Sequence, residues 1–478
     1  MRPLAVGIFS ALLAACTVGP DYVRPQPPQV DSYIRQEAAD AGTPTPEADA
    51  EFWRDFGDPL LERLVDAALL HNHDLRIAWA NYRQANALLR GARYDALPTL
   101  TAGAEAADVR GSADQLPGVD RAGRDYDQYQ GSIGFNWELD LFGRIRRGVE
   151  AQRAETAASA EDLAAMQVAV VGELARSYFQ LRGWQEQLRI AGENADNQAR
   201  TLQLLQARYD AGMATPFDVD RGRTQLETTR SRIPALEAEV AVATHRIAVL
   251  TGSAPETLAA ELETPGELPA LPERVAAGAP GELLRRRPDV AAAERRLAAA
   301  TARIGVATAD LFPRFTLGGL IGTQAFDAGA LFERDSETRM LSLGVDGSFL
   351  NVGRVRARIA AANAMAAADL AAYERTVLVA LEETENALVR LSRSGRENAH
   401  LEQAAAAGAR AAGLAKVRFD HGAIDVLELL QAEDARLQAE DAFAQSRVRN
   451  TLAVVSLYQA LAGGWPDRVP EESMAGNR

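Results

Sequence analysis

Cysteine and lysine are almost missing from this chain of 478 residues. Cys16 is the single cysteine, so no disulfide can form within the chain. Lys416 is the single lysine in a Lys-plus-Arg total of 51. That removes any Walker-type phosphate loop, which needs a Gly-Lys-Ser/Thr triplet. Net positive charge is missing as well: the formal charge is −15, which argues against a nucleic-acid partner, whose phosphates need clustered basic side chains. No run of about 18 apolar residues follows the amino-terminal segment, so no transmembrane helix is expected beyond it. Of five histidines, only His71 and His73 lie close together. No His-Glu-x-x-His spacing and no Gly-x-Ser-x-Gly elbow occurs. Six methionines, Met1 included, make no ladder for soft metals. The residues therefore point to no catalytic set, no metal site and no cofactor.

The amino terminus is informative. Residues 1–15 read as an export signal: Arg2, then a short apolar run from Leu4 to Ala14, too brief to span a bilayer. Leu13-Ala14-Ala15-Cys16 resembles a bacterial lipobox. The resemblance implies cleavage before Cys16 and attachment of acyl chains to it, and Thr17 in place of Asp implies sorting to the outer membrane. At roughly 0.8 kcal/mol per buried methylene, several chains anchor a protein firmly. Residues 16–57, rich in Pro, Asp and Ala and without periodicity, read as an extended tether.

Two stretches alternate with period two. In 129–144, Ile133, Phe135, Trp137, Leu139 and Leu141 fall on one face, and Ser132, Gly134, Asn136, Glu138 and Asp140 on the other. In 339–354, Leu341, Leu343, Val345 and Phe349 oppose Ser342, Gly344, Asp346 and Ser348. A weaker strand at Thr99–Ala104 precedes the first, so hairpins are expected at about 97–142 and 312–352. Ten alternating residues suffice for a transmembrane β-strand.

Very long helices follow each hairpin. Leu174, Leu181, Leu188, Ala195, Leu202 and Tyr209 recur at sevens, and so do Val219, Leu226, Ile233, Val240 and Ile247 beyond a turn at Asp210-Ala211-Gly212. Sevens imply left-handed coiled-coil packing, here in helical hairpins at 144–251 and 354–462. The sequence then starts again: Asp74 to Pro98 returns as Asp289 to Pro313, Gly143-Arg144 as Gly353-Arg354, and Arg208-Tyr209-Asp210-x-Gly212 as Arg418-Phe419-Asp420-x-Gly422. A constant offset on each side of one hairpin loop marks a tandem duplication. The expected organisation is a first repeat over 58–252, a Pro- and Gly-rich linker over 253–281, a second repeat over 282–464 and a tail over 465–478.

Each chain then has four strands, too few to close a barrel, and open edges are not tolerated in lipid. Lipid-facing strands require several chains to pool them, and three chains give twelve, an allowed even number. A lipid-anchored coiled-coil scaffold without a pore would suit the helices, but it would have to bury the apolar strand faces.

The chain resembles TolC-like outer-membrane efflux proteins, in the lipoprotein branch that serves resistance–nodulation–division pumps. The matching residues are Cys16-Thr17-Val18-Gly19-Pro20-Asp21-Tyr22, Phe52-Trp53, Phe56-x-Asp58-Pro59, Asn72-x-Asp74-Leu75, Arg286-Arg287-Pro288-Asp289-Val290, Leu311-Phe312-Pro313 and Gly463-Gly464-Trp465. The resemblance implies a membrane channel of mixed α/β class: a shared β-barrel of four strands per chain, twelve in the homotrimer, on a long antiparallel α-helical barrel. It implies a passive exit duct for drugs or other small toxic compounds, lodged in the outer membrane of a Gram-negative bacterium. An inner-membrane resistance–nodulation–division transporter would drive it through a periplasmic adaptor protein. The same fold in metal-ion efflux or type I polypeptide secretion is the alternative. Asn136, Glu138, Asp140 and Asp346 would line the barrel lumen, and outer-membrane lipid would meet the other face. Gly212, Thr215, Gly422 and Asp425 would be adaptor-docking turns. Asp218, Leu427 and Glu428 would form the periplasmic gate, although Asp218 and Glu428 also suit plain helix capping. Gln431 departs from the family, where an acidic residue is common.

Overall fold

The computed structural model describes residues 17–26, 32–34, 51–114, 116–272 and 280–462. The chain forms two compact units. One comprises the segment ending at Gln26 with Asn81–Ala160 and Ala292–Glu374; the other comprises Pro27–Ala80, Glu161–Ala291 and the chain from Arg375.

The duplication is visible element by element. Helices α1 (Pro59–His71) and α2 (His73–Tyr94) precede strands β1 (Thr99–Arg110) and β2 (Asp125–Leu139) and helices α3 (Arg144–Asp210) and α4 (Pro216–Leu250). In the second half α5 (Pro280–Arg286), α6 (Pro288–Ala309), β3 (Arg314–Ala325), β4 (Glu337–Asp346), α7 (Val352–Asp420) and α8 (Val426–Ala460) follow in the same order. His73 and Thr99 map onto Pro288 and Arg314 at an offset of 215 residues; Asp210 and Leu250 map onto Asp420 and Ala460 at 210. One contact repeats with the elements: Asn72 Nδ2 donates to the Leu250 carbonyl (2.8 Å), and Arg287 Nη1 donates to the Ala460 carbonyl (3.2 Å). Both link the residue before a helix start to the end of a return helix.

α3 and α7, at 67 and 69 residues, are each about 100 Å long at 1.5 Å rise per residue. No helix among the described residues is long and apolar enough to cross a membrane. The helical unit's core forms where the short and long helices meet. Phe52, Trp53 and Phe56 of a short 3-10 turn join Leu61, Leu64 and Val65 of α1, Leu174, Tyr178 and Phe179 of α3, Ile247 of α4 and Val455 and Tyr458 of α8. Phe52 stacks on Tyr458 with centroids 4.6 Å apart, and the Tyr458 hydroxyl donates to Asp55 at 2.7 Å. Asp58 caps α1, accepting from the Leu60 and Leu61 amides at 2.9 and 3.2 Å, and also receives the Tyr178 hydroxyl. The linker after α4 is fixed to α3 by Gln185 Nε2 on the Leu262 carbonyl (2.6 Å) and Arg182 on the Thr264 carbonyl (3.1 Å).

The other unit carries one antiparallel sheet in the order β1-β2-β3-β4. Its register sorts the side chains. Leu100, Phe135, Gly319 and Leu341 form one rung; Trp137, Leu317 and Leu343, then Leu139, Phe315 and Val345, form others on the same face. Gly319 is needed under Phe135, for a Cβ there would lie 2.3 Å from the ring. The opposite face carries Thr99, Asn136, Gly318 and Ser342, then Gly103, Ser132, Gly322 and Thr338, interrupted by the apolar pair Leu320 and Met340.

Candidate functional site

Two places carry the sequence-predicted site residues: the sheet with its foot, and the two helical turns. On the sheet the apolar face is bare. Leu100, Leu341 and Leu343 are 74%, 75% and 63% exposed on the single chain. Asn136 is exposed on the polar face, and Asp346 ends β4 opposite Arg314.

The foot of β2 differs from the expectation of uninterrupted alternation. Asp140 lies beyond the last β2–β3 pair, Leu139 with Phe315, so it is not on a strand face. Its carboxylate accepts from the Ile145 and Arg146 amides (3.1 and 2.9 Å) and pairs with the Arg146 side chain (3.2 Å). It serves the start of α3, where unpaired amides and the macrodipole favour a carboxylate. Glu138 does lie on the polar face, but Arg144 grips it with two bonds, 2.8 and 2.7 Å, so its charge is neutralised locally. Phe349 likewise leaves the expected strand, because β4 stops at Asp346 and Ser348–Leu350 form a 3-10 turn.

A strap runs along the same unit. The Val18 amide donates to the Phe142 carbonyl (3.2 Å), Arg147 donates to the Val18 and Gly19 carbonyls (3.3 and 3.4 Å) and to Asp21 (2.6 Å), and Tyr22 and Arg24 both reach Glu294. Thr17 packs so closely on Gly143 that a Cβ there would lie 2.5 Å from the Thr17 methyl. Cys16, the expected lipidation position, lies outside the described residues, as do Gly463-Gly464-Trp465.

The two helical turns share one construction. Gly212 and Gly422 stand at φ +73° and +72°, a conformation that excludes most side chains. Their amides bond back to Tyr209 and Phe419, and those of Met213 and Ala423 to Arg208 and Arg418, at 2.7–2.9 Å. This is the Schellman closure of a helix end. The restarts differ. Thr215 and Asp218 form a reciprocal capping box: Asp218 accepts from the Thr215 amide (2.9 Å) and hydroxyl (2.7 Å). Those bonds hold the Asp218 carboxyl below the usual range. In the second turn Asp425 alone caps, accepting from the Glu428 amide at 2.9 Å, and Glu428 is exposed.

The turns are brought together by a small core in which Val219, from the period-seven row, meets Leu205, Phe419 and Leu429, with the Arg208 guanidinium 4.0 Å above the Phe419 ring. Leu427 stays outside it, 36% exposed, as do Met213 and Phe217 at 73% and 69%. Phe217 was readable: it follows Pro216, out of phase with Val219 and Leu226. Among the described residues, no three His, Cys, Asp or Glu side chains gather as a metal site requires. A cleft of about 530 Å³ holds Arg287 already paired with Asp289 and Glu383 at 2.7 Å.

Comparison with known proteins fits this geometry. The family model for outer membrane efflux proteins matches residues 64–253 and 279–463, one match in each repeat. The outer membrane protein OprJ of Pseudomonas aeruginosa is 32% identical over 473 residues, covering 98% of both chains. The toluene efflux pump outer membrane protein TtgF of Pseudomonas putida is 31% identical over 464 residues, covering 96% of each. The solved structure of the outer-membrane channel OprN superposes with a TM-score of 0.86 at 40% identity, over 94% of this chain and 100% of that one. Family and relatives are efflux channels rather than enzymes. The chain belongs to the outer membrane efflux protein family, and its role is that of an outer-membrane exit duct.

Proposed function

We propose that three copies of the chain close a twelve-stranded barrel, with the long helices lining the rest of the conduit, and that the trimer passes drugs and other small toxic compounds outward. The sheet carries this reading. Its apolar face is bare on the single chain, and its edges, β1 and β4, pair with no other strand among the described residues. Lipid tolerates the first and forbids the second. Joining β4 of one chain to β1 of the next, three times round, removes every edge and leaves an even strand number. The polar face then lines water, with Asn136 and Ser342 side by side across Gly318.

The duct itself is passive. An inner-membrane resistance–nodulation–division transporter supplies the energy through a periplasmic adaptor. The adaptor docks at the turns around Gly212, Thr215, Gly422 and Asp425, where Met213 and Phe217 offer bare apolar surface. Acyl chains on Cys16 sit one residue from Thr17, which packs beside Gly143 at the foot of β2, so they enter lipid next to the barrel. Leu427 and Glu428 form the three-fold constriction, while Asp218 is committed to its cap. Purification from outer membranes tests the reading: a trimer conducting ions in planar bilayers is expected. A monomer that closes no pore would overturn it.

A further inference from the structure

α8 runs back along α3 in a register that three contacts fix. A Cβ on Gly172 would lie 1.7 Å from the Gln459 side chain, and one on Gly183 would lie 2.3 Å from Val448. Arg436 Nη2 donates to Asn194 Oδ1 at 3.0 Å. Each step of eleven residues along α3 is thus answered by a step of eleven or twelve back along α8. One helical turn further, the same register sets Gln198 opposite Glu433. Leu205 and Leu429 come next, in the apolar core at the turns. The pair therefore lies between the Arg436–Asn194 bond and that core.

Both side chains are shut away from solvent, Gln198 4% and Glu433 9% exposed. Yet Gln198 Nε2, Gln198 Oε1 and Glu433 Oε2 are all buried with no hydrogen-bond partner, a costly condition for polar atoms. The three atoms are complementary. A primary amide offers a donor beside an acceptor, and a protonated carboxyl offers an acceptor beside a donor. Set face to face they close a ring of two hydrogen bonds that uses all three. An ionised carboxylate has no proton to give. It can accept from Gln198 Nε2, but it leaves the amide oxygen against an anionic one. The surroundings favour the proton: burial raises the Glu433 pKa against the pull of Arg436 on its own helix and Lys416 on α7. Among the described residues those are the charges that bear on it. α3 faces it with the uncharged Asn194 and Gln198, and no charge of α4 acts there. Arg436 is itself engaged with Glu440 at 2.8 Å and with Asn194.

We propose that Glu433 and Gln198 form a proton-dependent latch between α8 and α3, just inside the constriction. Leu427 and Glu428 stand six and five residues before Glu433 on the same helix, so the latch holds the segment that carries them. Its bonds are fully present below the ordinary glutamate value of about 4.3, and they are lost as pH rises through the raised one. The proton then leaves to solvent, the ring opens, and the end of α8 is free to shift. The inference rests on the reading of Leu427 and Glu428 as the constriction, and adds its regulation.

The test compares the full-length protein with two variants. Glu433→Gln replaces the carboxyl by an amide, which closes the same two-bond ring with Gln198 at any pH; Gln198→Leu abolishes the ring at any pH. In planar bilayers wild-type conductance is expected to rise as pH increases above about 4.3. Glu433→Gln should stay low and Gln198→Leu high across the range, each losing that rise. Glu428 is present in all three proteins, so its own titration cancels in the comparison. Infrared difference spectra between acid and neutral pH read the proton directly. A protonated-carboxyl carbonyl stretch that persists above pH 4.3 in wild type should vanish in Glu433→Gln and shift in Gln198→Leu. A pH profile of either variant equal to that of wild type overturns the latch, and so does a carbonyl band unchanged by Glu433→Gln. A wild-type protein that conducts nothing overturns the duct reading instead, and the infrared band still decides whether the proton is shared with Gln198.

Discussion

Leu341→Arg and Ser342→Arg place the same charge on adjacent residues of β4, on opposite faces of the sheet. The β2–β3 ladder runs from Tyr129 with Ala325 to Leu139 with Phe315. At about 3.4 Å per residue and a tilt of about 40°, it spans roughly the apolar height of a barrel. Leu341 pairs with Gly319, which pairs with Phe135, within about one rung of the middle of that ladder. An arginine there meets the full midplane cost, about 2–4 kcal/mol per chain. Three chains share the barrel, so the trimer loses on the order of 6–12 kcal/mol, comparable with the whole stability of a typical domain. Ser342 faces the polar side, exposed beside Gly318, and a surface substitution of that kind stays within about 0.5 kcal/mol. Heat-modifiable trimer bands from outer-membrane extracts read the difference: Ser342→Arg should match wild type, and Leu341→Arg should be depleted of trimer. Equal yields would mean that the apolar face does not meet lipid.

Further expectations concern the helices and their turns. Replacing Leu427 and Glu428 together by Ala should raise single-channel conductance and weaken block by multivalent cations in planar bilayers, since a ring of carboxylates attracts cations. Asp425→Ala removes the cap of α8 and should cost about 1 kcal/mol of local stability, seen as faster hydrogen exchange over Val426–Leu430. The Thr215–Asp218 box holds the Asp218 carboxyl low, so its stabilisation is present above the ordinary aspartate value near pH 4. It is lost as pH falls through the depressed one, and Asp218→Asn should abolish that pH dependence of exchange at the turn. Glu433 is 9% exposed, with one carboxyl oxygen unpartnered, and burial raises its pKa against the pull of Arg436 and Lys416. The ionised form therefore costs stability above the ordinary glutamate value of about 4.3. Glu433→Gln should raise the thermal midpoint at neutral pH, with the gain vanishing toward pH 4.

The strand faces were legible because a paired strand turns every second side chain to one side, and pairing with both neighbours enforces that over Ile133, Phe135 and Trp137. The same rule failed at Asp140 and Phe349, where the ladder ends. Past the last hydrogen-bonded rung the backbone is free to turn, and the next demand on it comes from the helix that follows. Asp140 answers that demand by capping α3. The sequence did hold the signal: a carboxylate four residues ahead of Arg144, at the start of a helical pattern. Glu138 shows a related limit. Period two puts it on the polar face, but nothing in the period reveals that Arg144, the first residue of the next helix, reaches back to it.

The turns were placed correctly as turns by their glycines, because only a residue free of Cβ strain closes a helix in the left-handed region. The difference between them came only with the geometry. Both repeats carry a capping residue followed three positions later by an acid, Thr215 with Asp218 and Asp425 with Glu428, so the pattern alone treats the two acids alike. The short Asp218 side chain folds back on the Thr215 amide and hydroxyl, and its bonding capacity is largely used there. Glu428 follows a cap that is itself anionic. A reciprocal box would set two carboxylates against each other, and the structure has none: Asp425 takes the Glu428 amide, and the Glu428 side chain stays exposed. The duplication thus left an acid three positions after each cap, but only Asp218 is drawn into its cap while the Glu428 side chain stays exposed, and the identity of the capping residue decides which.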